Sequence, residues 1–302
     1  MKTLLSILIL VNSLFAFEYG LEPVQVNEKA YCFFGKPEVM DTKNNGNMVN
    51  SCFVDTGKSW LVIDSGPTYS YAKEAYSYVN KIKKMPVSYV INTHTHDDHW
   101  LGNGYYKSIG ATILGSLEFS NLSFVNNSPR MERRISPKAY ALTVPTIPTY
   151  FITKDETLRL DSMDVQILHV NYKAHTNSDL LVYIPQIKTI FCGDLIFNDR
   201  IASMRDGDVS GWIKILQRVK KMNLTTVVGG HGKITDATSL DIILGYLTEI
   251  KSQVQTALED ELEIDEAVEK IKMKRYEDLA LYKMMHRQNV EVTFRMLEWE
   301  NE

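Results

Sequence analysis

Short apolar runs rich in β-branched residues alternate with helical stretches from residue 18 to about residue 231, a pattern that predicts a layered α/β domain. The run Trp60-Leu61-Val62-Ile63 ends in Asp64-Ser65-Gly66, and a second run over 87–92 ends at a histidine cluster. Each predicted strand thus delivers polar residues at its C-terminal end. Between them, 69–85 carries enough helix formers to connect the strands as a helix, stopped by Pro86. Further strands are predicted over 112–114, 165–170, 180–184, 189–192 and 225–228, with a helix near 212–222. The stretch 117–151 holds Pro129, Pro137, Pro145 and Pro148 among several Ser and Asn and reads as a long irregular excursion; such loops often cover functional sites. Tyr105, Tyr106, Phe119 and Phe124 either line a pocket there or pack in the core, and packing is the commoner role. Beyond Asp236, Ile243, Leu247, Ile250, Val254 and Leu258 fall at three- and four-residue steps, the period of a helix. A break is expected over 259–265 and more helix over 276–299. Residues 237–302 therefore form a helical extension that either packs on the domain at 17–236 or offers the surface of a homodimer.

The chain opens Met1-Lys2-Thr3 and continues with an apolar stretch over 4–17 broken only by Ser6, Asn12 and Ser13, the layout of a secretory signal peptide. A buried first helix or a membrane anchor would be the alternative, but the run is short for a span of ~20 residues and turns polar at Glu18. Cleavage after Ala16 (signal 1–16) would leave a periplasmic or secreted protein with no stable membrane anchor. Export changes the reading of Cys32, Cys52 and Cys192, because oxidising compartments permit disulfides. Cys32 and Cys52 either pair across neighbouring strands or stay as separate buried thiols; Cys192 reads as a core residue. At 302 residues with 44% apolar content the chain can bury a large core, and a formal charge of −4 provides no broad basic surface. A nucleic-acid partner is disfavoured and a small-molecule substrate expected.

The chemistry concentrates in Thr93-His94-Thr95-His96-Asp97-Asp98-His99-Trp100, directly after an apolar strand. Imidazoles and carboxylates at that density, if buried, need a compensating charge, and zinc prefers this mixture of nitrogen and oxygen donors. His94 and His96, two apart in an extended turn, can point to one ion, while Asp98 and His99, where the turn becomes a helix, face a second. Two ions need ligands from elsewhere, and isolated residues recur at other strand ends: His175 before an apolar strand, Asp194 in Gly193-Asp194, and His231 in Gly229-Gly230-His231-Gly232. Each alone is more often a hydrogen-bonded structural residue; the joint pattern reverses that reading. His169 and His286, of the 7 histidines, keep structural roles.

At this point the sequence resembles the metallo-β-lactamase superfamily, whose His-x-His-x-Asp-His signature matches His94, His96, Asp98 and His99. The resemblance covers roughly residues 24–231 and implies a four-layer αββα sandwich with metals at one edge of its two sheets. Carried over by motif, His94, His96 and His175 would hold a first zinc, Asp98, His99 and His231 a second, and Asp194 would bridge them, two zinc ions per chain. Zinc β-lactamases of the commonest subclass carry cysteine where this chain has Asp194, whereas glyoxalase II and many other hydrolases carry a bridging aspartate after glycine. His96 separates the chain from flavo-diiron proteins, which typically have glutamate there. Exported relatives linked to sulfur oxidation or quinoprotein systems share the Trp100–Asn103 continuation and the helical tail. One departure is Asn177-Ser178, where relatives often have Pro-Gly; the turn should survive, since Asn tolerates turn geometries.

Two zinc ions roughly 3.5–4 Å apart hold a shared hydroxide at neutral pH and polarise a carbonyl, so no Ser or Cys nucleophile is needed. Asp98 would then orient the hydroxide and pass a proton to the leaving group, with Asp64 and Asp179 as supports for metal-bound imidazoles. The expected reaction is hydrolysis of an ester, thioester, lactone or related acyl bond. The rivals are β-lactam hydrolysis, which export favours, and a zinc-binding accessory role in a periplasmic redox system, which the helical tail favours.

Overall fold

The computed structural model describes residues 17–121 and 130–300. The signal segment 1–16 and Phe124 lie outside them. The first sheet contains β1 (Val24–Gln25), β2 (Ala30–Phe33), β3 (Ser51–Asp55), β4 (Trp60–Ile63), β5 (Val87–Ile91), β6 (Thr112–Ser116) and β7 (Tyr150–Ile152), in that spatial order. Pairing is antiparallel up to β4 and parallel from β4 onward. The second sheet runs β12 (Thr226–Val228), β11 (Thr189–Phe191), β10 (Leu180–Ile184), β9 (Met163–His169), β8 (Glu156–Leu160), antiparallel except for the β11–β12 pair.

Side chains alternate across a strand, and both faces of these strands are apolar because both are covered. In β4, Leu61 and Ile63 turn toward the second sheet and join Ile91, Val165, Ile167, Val182 and Phe191 in a core between the sheets. Trp60 and Val62 turn the other way, against Tyr71, Ala75 and Val79 of α1 (Tyr69–Ile82). The outer face of the second sheet is covered by α6 (Val209–Val219), whose Trp212, Ile215 and Leu216 pack with Leu181 and Ile190. The layers are helix, sheet, sheet, helix.

The extension adds to that last layer: Ile243, Leu247, Ile250 and Val254 of α7 (Thr238–Glu259), Ala267 and Val268 of α8 (Ile264–Lys270), and Val290, Phe294 and Leu297 of α9 (Tyr282–Glu300) join the same core. These residues of the three helices are thus buried within the chain, while Met284 and Trp299 of α9 are exposed. Among the described residues no helix is long and apolar enough to cross a membrane.

Four details differ from the sequence pattern or decide between its alternatives. Cys32 and Cys52 sit opposite each other in the β2–β3 register, Cα atoms 4.1 Å apart, and form a disulfide. Helix α1 ends at Ile82, before Pro86, because Lys83 is already extended. The proline-rich excursion is partly regular: α4 (Arg130–Arg134) is followed by α5 (Pro137–Tyr140), and residues 150–152 add β7 to the sheet. Pro137 begins α5 rather than breaking it, since the Ser136 hydroxyl accepts from Ala139 N and a first-turn proline forfeits no hydrogen bond. Tyr106 and Phe119 are core residues, the latter against Trp100 at 5.6 Å.

Candidate metal centre

The C-terminal ends of β4 and β5 meet at the edge of the sandwich, where open α/β sheets place their ligands. After β5 the chain turns through Asn92, whose side chain is paired with that of buried Asn103 (Asn103 Nδ2 to Asn92 Oδ1, 2.7 Å). Asp64, just past β4, then grips Thr93: Oδ1 accepts Thr93 N and Oδ2 accepts the Thr93 hydroxyl, each at 2.8 Å. The indole of Trp100 in α2 (Asp97–Trp100) closes the turn by donating to Thr95 O at 2.9 Å. Asp64 adopts a left-handed φ of +56° to make this reach.

All seven predicted residues converge here. His94 Nε2, His96 Nδ1, His175 Nε2 and a carboxylate oxygen of Asp194 form one group, and Asp98, His99 and His231 form another, the ligand atoms of each within 4.8 Å of one another. The carboxylate of Asp194 divides between them. Its Oδ2 lies 3.4 Å from His175 Nε2 and 3.7 Å from His94 Nε2; its Oδ1 lies 3.0 Å from His99 Nε2 and 3.3 Å from His231 Nε2. Asp98 Oδ2 completes the second group, 3.6 Å from His231 Nε2 and 3.8 Å from His99 Nε2. Glycines make the close approach possible: a Cβ on Gly230 would stand 2.1 Å from Asp194 Oδ1, and one on Gly193, at φ +52°, would meet Thr93 Oγ1 at 2.3 Å.

The outer partners settle where the imidazole protons are. An ionised carboxylate only accepts, so His99 donates Nδ1–H to Asp64 Oδ2 at 2.8 Å. The Thr93 hydroxyl spends its one hydrogen on Asp64, so at 3.0 Å it accepts Nδ1–H of His94. His231 donates Nδ1–H to Met48 O at 2.6 Å, and His96 donates Nε2–H to Asp206 Oδ2 at 3.1 Å. The inner nitrogen of each of these four rings is therefore the one turned toward the cluster and free to ligate a cation. His94 Nε2 and His96 Nδ1 stand 3.1 Å apart, and buried His99 Nε2 and Asp194 Oδ1 have no hydrogen-bond partner. Acceptors turned on acceptors in a buried site are costly unless a cation sits among them, and the mixture of imidazole and carboxylate fits zinc.

Charge is divided across the cluster: burial lowers the His99 imidazole, but the Asp194, Asp64 and Asp98 carboxylates outweigh it and hold that ring well above the ordinary imidazole range, so a positive charge is favoured at its Nε2. Burial and the neighbouring His99 hold His94 well below the ordinary imidazole range, so it is neutral. Burial alone would raise the Asp194 carboxyl, but the His231, His99 and His94 rings around it pull it well below the usual carboxylate range. Asp98, likewise buried, is held down chiefly by the Arg130 guanidinium, which contacts Asp98 Oδ1 and Asp97 Oδ1 at 2.6 Å each.

Asp64 acts on the site as anticipated, whereas Asp179 does not touch an imidazole. Its carboxylate accepts Thr176 N and the Thr176 hydroxyl at 2.9 and 2.8 Å, closing the turn after His175 across Asn177-Ser178. The sequence does not single out Arg130 or Asp206: Arg130 sits in no repeat or marked spacing, and Asp206-Gly207 reads only as a turn. His169 ends β9 and His286 lies in the extension, away from the cluster.

A family model described as the metallo-β-lactamase superfamily matches residues 44–231, from before β3 to the last histidine of the cluster. The chain belongs to the metallo-β-lactamase superfamily. Among curated members of this superfamily it is 22% identical over 209 residues to a type 2 metallo-β-lactamase of Elizabethkingia meningoseptica, covering 68% of this chain and 77% of the relative. It is 24% identical over 192 residues to one from Bacillus cereus (62% and 68%), and 22% identical over 209 residues to a hydroxyacylglutathione hydrolase of Erythrobacter litoralis (66% and 71%). A solved metallo-β-lactamase from Pontibacter korlensis superposes with a TM-score of 0.60 at 22% identity, covering 76% of this chain and 99% of that one, which establishes the common fold.

Proposed function

We propose that this superfamily member is a dinuclear zinc hydrolase, exported from the cytoplasm, that cleaves an ester, thioester, lactone or related acyl bond of a small molecule. The observation that carries the reading is the divided carboxylate of Asp194, one oxygen facing the three-imidazole group and the other facing His99 and His231. Zinc ions held by His94, His96, His175 and Asp194 and by Asp98, His99, His231 and Asp194 would supply a water of lowered pKa and an electrophile for the acyl oxygen. The rest falls to the protein. Asp98 Oδ2 faces the second group and is the atom placed to accept a proton from the attacking water and return it to the leaving group. Arg130 on Oδ1 keeps that carboxylate ionised at rest. Cys192 offers no competing nucleophile, since it lies in the core and burial pushes its thiol pKa up. The Cys32–Cys52 disulfide supports export, because such bonds persist in oxidising compartments.

β-Lactam hydrolysis is the second reading, favoured by the named type 2 enzymes among the relatives. A thioester, a lactone and a chromogenic cephalosporin offered to zinc-loaded and chelator-treated protein separate the two. Zinc-dependent turnover of the thioester or lactone, with the cephalosporin slower, is expected. Rapid cephalosporin turnover would put β-lactamase first, and turnover surviving in a His96→Ala, Asp194→Ala double variant would sink both.

A further inference from the structure

Between β11 and α6, residues 198–208 run along the wall of the centre without forming a strand or helix of their own, apart from an isolated bridge at Arg200. Asn198 N donates to His231 O at 3.1 Å, and the preceding Phe197 ring stacks on the His231 imidazole with centroids 4.9 Å apart. At the other end Asp206 Oδ2 receives His96 Nε2–H at 3.1 Å, and Asp208 N donates to Ala174 O, beside His175, at 2.7 Å. One irregular segment therefore borders three of the candidate ligands.

Its middle is held by the helical extension. Ile201 N donates to Ala280 O and Ala280 N to Asp199 O, a two-bond bridge at 2.9 and 3.2 Å. The side chain of Asn289, on α9, takes the place of a missing strand partner: Oδ1 accepts Met204 N at 3.2 Å and Nδ2 donates to Ala202 O at 2.8 Å. Ala202 and Met204 are each 2% exposed and Asn289 1%, so these backbone groups have little access to water as a substitute. The amide is fixed in turn. Its second Nδ2 hydrogen goes to Tyr246 Oη at 2.9 Å; Tyr246 pairs with His286 Nδ1, and His286 Nε2 lies 3.1 Å from Ile271 O. This chain of buried polar groups fixes the orientation of the Asn289 amide.

We propose that Asn289 is a positioning residue of the metal centre: through Ala202 and Met204 it sets the segment that delivers Asp206 to His96, making the helical extension a working wall of the site. The inference rests on the proposed zinc centre, but its test does not depend on turnover. Asn289→Leu removes every hydrogen bond of the amide at similar volume. Val290→Ala, at a fully buried neighbour on the same helix whose side chain has no polar atom to join this network, serves as a packing control.

Zinc dissociation constants by chelator competition should rise about 10- to 100-fold at the His94–His96–His175 site in Asn289→Leu, the range seen for outer-shell losses. The second site should move less, and Val290→Ala should change neither. In the metal-free proteins, amide exchange over 199–206 should speed up at least about tenfold in Asn289→Leu only, as expected when a local opening is eased. Should Asn289→Leu not fold, Tyr246→Phe, which removes only the hydroxyl fixing the amide, should produce the same changes at smaller size. If both variants lower Tm as Val290→Ala does while leaving zinc affinity within about twofold and exchange over 199–206 unaltered, Asn289 is ordinary core and the proposal is overturned. Failure of the proposed reaction looks different: tight zinc binding, the Asn289 effects intact, and no hydrolysis.

Discussion

Replacing Asp64 by Asn, nearly identical in shape, should damage the centre by moving protons. Asp64 is 2% exposed and accepts three hydrogen bonds of 2.8 Å, one on Oδ1 from Thr93 N and two on Oδ2 from the Thr93 hydroxyl and His99 Nδ1. Asn has one acceptor oxygen, which must stay on the Thr93 N–H because that donor cannot reverse. The NH2 then occupies the Oδ2 position and faces Thr93 Oγ1 and His99 Nδ1. The hydroxyl can turn round and accept, but His99 can accept at Nδ1 only by carrying its proton on Nε2, the atom that faces Asp98 and Asp194. The reversed Thr93 hydroxyl donates to His94 Nδ1 and forces the same exchange there.

Losing one lone pair from each group should weaken zinc binding at both, by roughly 10- to 100-fold at the His99 site, or about 1.4 to 2.7 kcal/mol. Trading charge-assisted for neutral hydrogen bonds should cost the metal-free fold about 1–2 kcal/mol more. Chelator competition measures the first and urea unfolding of the metal-free chain the second. Both zinc affinities within about twofold of the parent would refute the assignment of the His99 and His94 protons to Nδ1.

Gly230→Ala places a methyl group 2.1 Å from Asp194 Oδ1, and the carboxylate must turn away from His99 and His231; zinc content after dialysis should fall, and full retention would show the contact is easily relieved. Partial burial raises the Asp55 carboxyl, but Lys83 Nζ at 2.6 Å and Gly57 N at 2.8 Å outweigh it and hold its pKa below the ordinary 3.8. A lowered folded-state value contributes stability above the unfolded pKa that is lost as pH falls through the folded one. Lys83 is 44% exposed, so screening keeps the contribution to about 1 kcal/mol at most. Urea unfolding of the parent and Asp55→Asn should therefore differ at pH 7, and the difference should shrink as pH falls from about 3.8 through the lowered folded value; a pH-independent difference would contradict the pairing.

The sequence exposes the parts of this molecule that rest on periodicity or density. The ligand-bearing strands β4, β5, β10, β11 and β12 are legible because burial on both faces leaves continuous apolar runs, and the motif at 94–99 is legible because no ordinary turn collects so many ligand types. Asp64 is found by its place at a strand end. Arg130 and Asp206 act through tertiary placement: one comes from the excursion and the other from an irregular connection, where Asp206-Gly207 signals a turn but no role at the site. Asp179 shows the opposite failure, a carboxylate beside a ligand that spends both oxygens on the nearby Thr176. The excursion misleads because proline reads as a breaker, although Pro137 after a capping serine starts a helix. Residues 276–299 read as helix, while the consequence of α9 for the site depends on Asn289, a lone polar residue that periodicity passes over.

The central claim is that two zinc ions share Asp194. Titrating the metal-free chain with zinc, with bound metal counted by mass spectrometry, tests it most directly. The account predicts two ions per chain, and in Asp194→Ala the loss of at least one ion with weakened binding of the other. One ion or none in the parent, or two ions undisturbed by Asp194→Ala, would contradict it.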